Sequence, residues 1–430
     1  MVVAASIGTF VESYDLALYG YLAVILAGQF FPAGDPDAAL LATFAVFALG
    51  FAVRPLGGIL FGHVGDRLGR RPAIAASVLL ASAATASIAL LPTYQRAGLV
   101  APVLLLICRL LQGFSAGGEI AGANIFVLEH AEDGRAGRSV SANIAASSLG
   151  FGAAAAIGWL MTVAVDADQL ASWGWRLPFA VAAPFGVIGL YLRWRVAESP
   201  AFRPAARPRF PLGQMMRTAW RGVLIFVGFF AMVLVGSNLL VGFLPSYLAR
   251  TAGLSAAEVS VANIVAAVAL GAGAVLGGYL VDRVPLRVVA VACAAGLIVT
   301  AVPGLLVIRQ GTLGAAVAGE TLWAVVIGVG TVIGATLAVR LFAPSVRYTA
   351  AAFAINVTSV VFAGTAPYVS AWLVGRTGNV NAPALYLTLL AVGGLAMALF
   401  VLPRRAGERP RPASAALGHV AAAGTGRPRA

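Results

Sequence analysis

Six charged side chains stand in surroundings that are almost wholly apolar: Glu12, Asp15, Arg54, Arg109, Glu119 and Glu320. A charge in such a setting is costly unless it is paired or has a task. Glu12 and Asp15 are one helical turn apart, and Tyr19 is one turn further on, so the three share a helix face. A carboxylate beside a fixed cation gives up its proton readily, and it regains the proton when the cation withdraws or the site dries. Asp15 facing Arg109 could load and release a proton in this way. Two close acids oppose each other's ionisation, which makes Glu12 a second proton-site candidate. A guanidinium can grip a carboxylate through two hydrogen bonds; Arg54 and Arg109 are therefore candidate carboxylate anchors, with Gln112 one turn from Arg109. Glu119 lies ten residues beyond Arg109, about 15 Å along a helix. It could pair with Arg54, line the same site, or belong to an inner gate. The plain alternative is that these charges neutralise one another and only hold helices together.

The composition says what must carry them. Of 430 residues, 60% are hydrophobic and 10% are charged, and mean hydropathy is +0.92. A soluble globular chain is nearer half apolar and a quarter charged. A soluble enzyme, a disordered chain and a nucleic-acid binder are excluded, despite 29 basic residues against 16 acidic ones. The excess apolar surface must face lipid. A helical span needs about 20 apolar residues, so twelve spans take roughly 240 to 300, leaving room for short loops and no sizeable soluble domain.

Apolar runs fall at about 6–31, 39–62, 72–92, 98–127, 138–165 and 175–195, then at 220–248, 257–281, 286–308, 313–341, 346–375 and 381–402. They are too long and continuous for barrel strands of about 10 alternating residues, so they are helices. The pattern predicts an all-α membrane protein of twelve transmembrane helices in two six-helix bundles, 1–195 and 220–402. A basic, proline-rich linker at 196–219 joins them, and a tail at 403–430 without heptads is expected to be disordered. The N-terminus has no basic n-region, so the first run reads as a true span and not a cleaved signal. The segment before it is very short, and a start mis-called too far downstream is one reading of that.

Every basic residue is Arg. With both termini placed in the cytoplasm, 22 arginines fall on the inner side and 4 (Arg96, Arg250, Arg309 and Arg376) on the outer side. The positive-inside rule favours that orientation. The two halves also repeat. Gly62-x-x-x-Asp66-Arg67 with Arg71 recurs as Gly278-x-x-x-Asp282-Arg283 with Arg287, at a constant offset of 216. A half-length repeat is the mark of a two-bundle transporter.

Gly62-His-Val-Gly-Asp-Arg-Leu-Gly-Arg-Arg71 resembles the loop 2–3 signature of the major facilitator superfamily. Glu12-Ser-Tyr-Asp15 with Leu18-Tyr-Gly20, the stretch Phe51 to Pro72, Arg109 to Glu119, Trp173 to Phe179, Glu198 to Phe202, Val346 to Ala350 and Ala363 to Pro367 are similar to the metabolite:proton symporter branch. The resemblance runs from the first helix to the last. It implies proton-coupled uptake of a small organic acid or zwitterion across the cytoplasmic membrane by alternating access. Sugar porters of the same superfamily place an acid–arginine pair in the matching helices, which carries a coupling role onto Asp15 and Arg109. The loop residues Gly62, Asp66, Arg67, Arg70 and Arg71 are expected to latch the bundles on the cytoplasmic side, with Glu129, Arg138, Asp282 and Arg283 as related members; holding the loop inside by charge alone is the plainer reading. The sequence departs from the branch at Ser13 and Leu16, where aromatic residues are usual. It also departs at Arg340-Leu-Phe-Ala-Pro344, where an acid usually opens the stretch.

Asn143, Asn238, Asn263 and Asn356 interrupt apolar stretches. A buried amide needs partners, and helix–helix bonding accounts for each as well as substrate binding does; Asn143 and Asn356 are the substrate-site candidates. Cys108, Cys293 and the three histidines have no ligand spacing, so no metal or cofactor is expected. The chain has no lysine and hence no phosphate-binding loop of the GxxxxGK[ST] type, and no nucleophile–base pair is visible, so it is not expected to be an enzyme. The expected partners are the substrate, a proton and the bilayer, with no nucleic acid, and a monomer suffices. The rival readings are a proton antiporter exporting a drug or metabolite, and a non-transporting sensor of the same fold. Exporters usually carry Gly-x-x-x-Gly-Pro in the fifth span; here Ser147 to Trp159 lacks the Pro.

Overall fold

In a computed structural model the protein is described over residues 2–32, 34–68, 70–117, 135–195, 219–343 and 347–402. Among these residues the regular structure is helical, with no strand. Backbone groups in lipid have no water to bond to, so each crossing must close its own hydrogen bonds. The crossings of the first bundle are α1 (Val2–Tyr21) with α2 (Ala23–Phe30), α3 (Pro36–Ala52) with α4 (Arg54–Leu68), α5 (Arg70–Ile88), α6 (Val100–Ala116), α7 (Ala136–Ala164) and α8 (Ala182–Arg195). Those of the second are α9 (Trp220–Asn238) with α10 (Leu244–Arg250), α11 (Ala256–Arg283), α12 (Leu286–Ile308), α13 (Leu313–Leu341), α14 (Arg347–Thr358) with α15 (Ala366–Thr377), and α16 (Ala382–Ala396). They make twelve membrane crossings in two bundles.

Local chemistry sets several helix starts. Asp35 accepts from the Asp37 and Ala38 amides at 2.9 and 3.1 Å, with Pro36 in the first turn, where its missing N–H costs nothing. Ser255 and Glu258 form a capping box at the start of α11. Large apolar side chains such as Ile59, Leu149, Val268 and Leu389 are exposed on the outer faces, as lipid contact requires.

The first apolar run, expected as one helix, is bent by 66° between α1 and α2. Further irregularities are π-helical turns at Leu239–Phe243, Ser359–Ala363 and Met397–Val401. Such turns occur often at functional sites. The bend and the first two π turns lie on the boundary between the bundles. Gly20 of α1 meets the Val241 carbonyl so closely that a Cβ would lie 2.0 Å from it, and Phe51 of α3 packs on Gly364. The longest contact between bundles is α7 along α11. Most of the 196–219 segment and the tail from 403 lie outside the described residues.

Candidate functional site

The site is built where α3 and α4 pass close to α6. A Cβ on Gly57 would lie 1.7 Å from the Phe114 carbonyl, and one on Gly113 would lie 1.7 Å from the Gly50 carbonyl. Only glycine permits this backbone-to-backbone approach, the small-residue packing of membrane helices. It brings Arg54, at the start of α4, and Arg109, in the middle of α6, to one cleft against α1. Glu12, Asp15, Leu16, Phe51, Gln112 and Ser115 line that cleft, which encloses about 480 Å3 of space, part of it open to solvent.

Asp15 is the centre of a polar network. It accepts a hydrogen bond from Thr85 Oγ1 at 2.8 Å, another from Gln112 Nε2, and a longer one from Arg109 Nη1 at 3.4 Å. Arg109 Nη1 also donates to Gln112 Oε1 at 2.9 Å, and Gln112 Nε2 lies 2.9 Å from Thr85 Oγ1. The Arg109 guanidinium stacks over the Tyr19 ring at 4.4 Å and near the Phe47 ring at 5.3 Å. Tyr19 is fixed beneath it by donating to the Thr43 carbonyl at 3.0 Å. One turn along α1, Glu12 pairs with Arg54 Nη2 at 3.3 Å, and the Arg54 guanidinium lies 4.0 Å from the centre of the Phe51 ring. Both pairs are nearly buried. Arg54 and Arg109 each keep an Nε–H with no partner among the described residues.

The structure thus brings Asp15, Glu12, Arg109, Arg54, Gln112 and Tyr19 into one place. Of the two roles open to Arg54, pairing with Glu12 is what it shows here. Glu119 and Glu129 lie outside the described residues, and so do the side chains of Asp66, Arg67, Arg70 and Arg71; Gly62 stands within α4. Asn143, on α7, takes a 3.5 Å hydrogen bond from Thr9. Asn356, on α14, donates to its own helix at Ala352 and faces Gly58 of the first bundle. Ser13, at the position where the branch has an aromatic residue, lies 2.5 Å from Ser147 through the two hydroxyls.

At the arginine-rich end, Asp282 closes on α7. It accepts from the Gly137 amide at 2.7 Å and the Arg138 amide at 3.2 Å, with the Arg138 guanidinium at 3.8 Å. Arg283 stacks on Tyr279 instead, 3.5 Å from its ring centre. At the opposite end Arg250 reaches across the bundles to Asp37 at 2.6 Å. Sequence reasoning missed Thr85, a threonine in a helix of small residues with nothing to mark it. It also missed the Arg250–Asp37 pair, whose residues lie 213 positions apart. Among the described residues no group of His, Cys, Asp and Glu could hold a metal ion.

Comparison with known proteins agrees with this architecture. Residues 1–207 match the family described as "Sugar (and other) transporter", and residues 225–427 match "Major Facilitator Superfamily". The chain is 35% identical to the glycine betaine/proline/ectoine/pipecolic acid transporter OusA of Dickeya dadantii, over 93% of this chain and 82% of that one. It is 36% identical to a proline/betaine transporter of Escherichia coli, over 92% and 81%, and 32% identical to the ectoine/proline transporter ProP of Corynebacterium glutamicum, over 91% and 81%. Among solved structures, a D-xylose–proton symporter superposes with a TM-score of 0.72 at 20% identity, covering 93% of this chain and 97% of that one. The inward-open xylose transporter XylE from E. coli gives 0.71 at 18%, covering 95% and 97%. At those identities the likeness concerns the fold. The chain belongs to the major facilitator superfamily; it is a multi-pass membrane transporter and not an enzyme.

Proposed function

We propose that the chain is a proton-coupled symporter of the cytoplasmic membrane, with both termini inside, that takes up a small zwitterion bearing a carboxylate, of the proline and betaine class. The observation that carries this reading is the arrangement of two acids and two arginines on one cleft. As drawn, Glu12 balances Arg54 and Asp15 balances Arg109. Protonating Asp15 leaves one guanidinium charge unmatched in a nearly dry site, where that is costly. A substrate carboxylate restores the balance and can use the free Nε–H donors of Arg54 and Arg109. Proton and carboxylate therefore favour each other's binding, which is the thermodynamic requirement for coupling. The relatives named for proline and betaine transport support the zwitterion class. Alternating access would open the Asp282 end and the Arg250 end in turn.

The test is reconstitution of the full chain in liposomes holding a pH-sensitive dye, with proline, glycine betaine and simple dicarboxylates added one at a time. A zwitterion should enter together with protons. Asp15→Asn should still exchange substrate across the membrane but should lose the proton signal. Substrate entry with no proton movement in the wild type would overturn the reading.

A further inference from the structure

The second bundle holds an acid that this mechanism does not use. Glu320, in the second turn of α13, is wholly buried, and neither carboxylate oxygen has a hydrogen-bond partner among the described residues. The ionisable groups on neighbouring elements are engaged elsewhere or uncharged. Arg309, just past α12, donates to Asn381 at 3.4 Å. Glu258, at the start of α11, bonds Ser255. Tyr247 on α10 and Tyr21 on α1 are phenols, uncharged at neutral pH. Along α13 itself, Gly319 packs on the Gly304 carbonyl, and the Trp323 indole is spent on the Thr300 carbonyl at 3.1 Å.

The loop ahead of α13 fixes where this acid sits: a Cβ on Gly311 would lie 2.9 Å from the carbonyl of Ala252, two residues past Arg250. Gly20 rests its backbone against Val241 of the opposite bundle, nine residues ahead of Arg250, whose pair with Asp37 ties α10 to the start of α3. Glu320 is therefore buried close to the seal that closes the Arg250 end. A bare carboxylate there would be stripped of water with no hydrogen bond and no cation, an arrangement proteins avoid by taking up a proton. Opening the seal lets water reach Glu320 and lets it ionise.

We propose that Glu320 is a second proton-binding site, separate from Asp15, and that the Arg250 end closes only when Glu320 carries its proton. The proton comes from hydronium on the side to which that end opens: one O–H bond of the hydronium breaks, one forms on the carboxylate as the site dries, and water is left behind. The ionised form holds water and keeps the end open. This inference rests on the proton-coupled reading above, to which it adds a second titrating group and a step that the group controls.

The experiment uses the full chain in liposomes with Cys108 and Cys293 replaced by alanine and Val241→Cys as a probe of the seal. Labelling by a membrane-impermeant maleimide is followed against pH and normalised to the unfolded chain at the same pH. With Glu320 present, normalised labelling should rise at least tenfold as pH increases and the end opens. Glu320→Gln and Glu320→Leu, both neutral and both able to fill the dry site, should label slowly and without pH dependence. Asp15→Asn should leave the rise in place. A rise that survives in both Glu320 variants, or that vanishes with Asp15→Asn alone, overturns the inference. Flat labelling in the parent with Glu320 intact overturns it too. Failure of the symport reading is seen separately, as substrate entry without protons in the dye assay.

Discussion

The Asp282 carboxylate at the end of α11 accepts a hydrogen bond from the Gly137 amide at 2.7 Å, across the boundary between the bundles. Arg135, at the start of α7, provides no side-chain cap of its own, so the acid of one bundle caps a helix of the other. A capping side chain is worth about 0.5–2 kcal/mol, and a negative charge at a helix N-terminus adds to it. Asp282→Ala should therefore open this end by a factor of roughly 2 to 30, and by more with the charge included. The check is the labelling rate of Ser141→Cys, which packs beneath the same contact against Gly278.

Thr85 should prove as necessary to the proton site as residues that look more chemical. Its hydroxyl reaches Asp15 at 2.8 Å and the Ala81 carbonyl at 2.8 Å. Thr85→Val keeps the shape and removes the donor. Losing a hydrogen bond to a buried charged group costs about 1.5–3 kcal/mol. The variant should fold, with a modestly lowered melting temperature, and its proton-to-substrate ratio should fall below the wild-type value in the dye assay.

Glu12 and Arg54 should behave as a pair. Removing one partner of a buried ion pair leaves the other uncompensated and costs about 3–5 kcal/mol, while replacing both with apolar or neutral groups is often harmless to stability. Glu12→Gln and Arg54→Met should each lower the melting temperature strongly, and the double variant should recover most of it. Uptake should not recover, because Arg54 is proposed to meet the substrate carboxylate. A double variant that regains uptake would assign Arg54 to structure alone.

Several parts of this account are legible in the sequence for a simple physical reason: membrane spans are long and their charges are few. The twelve runs follow from hydropathy, the repeat of Asp66 in Asp282 from a constant offset between the halves, and the shared face of Glu12 and Asp15 from spacing along one helix. What depends on which helices touch is not visible there. Thr85 is one hydroxyl among small residues, and it becomes a partner of Asp15 only because α5 packs against α1. Asp282 carries an arginine beside it that suggests an ion pair, yet its closest partners are backbone amides of α7. The bend at Leu22 and the π turn at Leu239–Phe243 leave no mark in hydropathy; they meet where the two bundles close on each other.

That seal invites a comparison between two substitutions. Arg250 and Asp37 form an exposed pair, with the Asp37 side chain 87% accessible. Exposed pairs contribute about 0.2–1 kcal/mol and are screened by salt, so Asp37→Asn should change the transport rate by less than about fivefold. Gly20 is different. A Cβ there would sit 2.0 Å from the Val241 carbonyl, and the obstacle is backbone on both sides. Gly20→Val cannot be relieved by turning a side chain, so the Arg250 end should stay open. Substrate should still bind, as read by isothermal calorimetry on the purified variant, while uptake and exchange are both lost. If Gly20→Val transports at the wild-type rate, then α1 does not meet the π turn in any state the cycle needs.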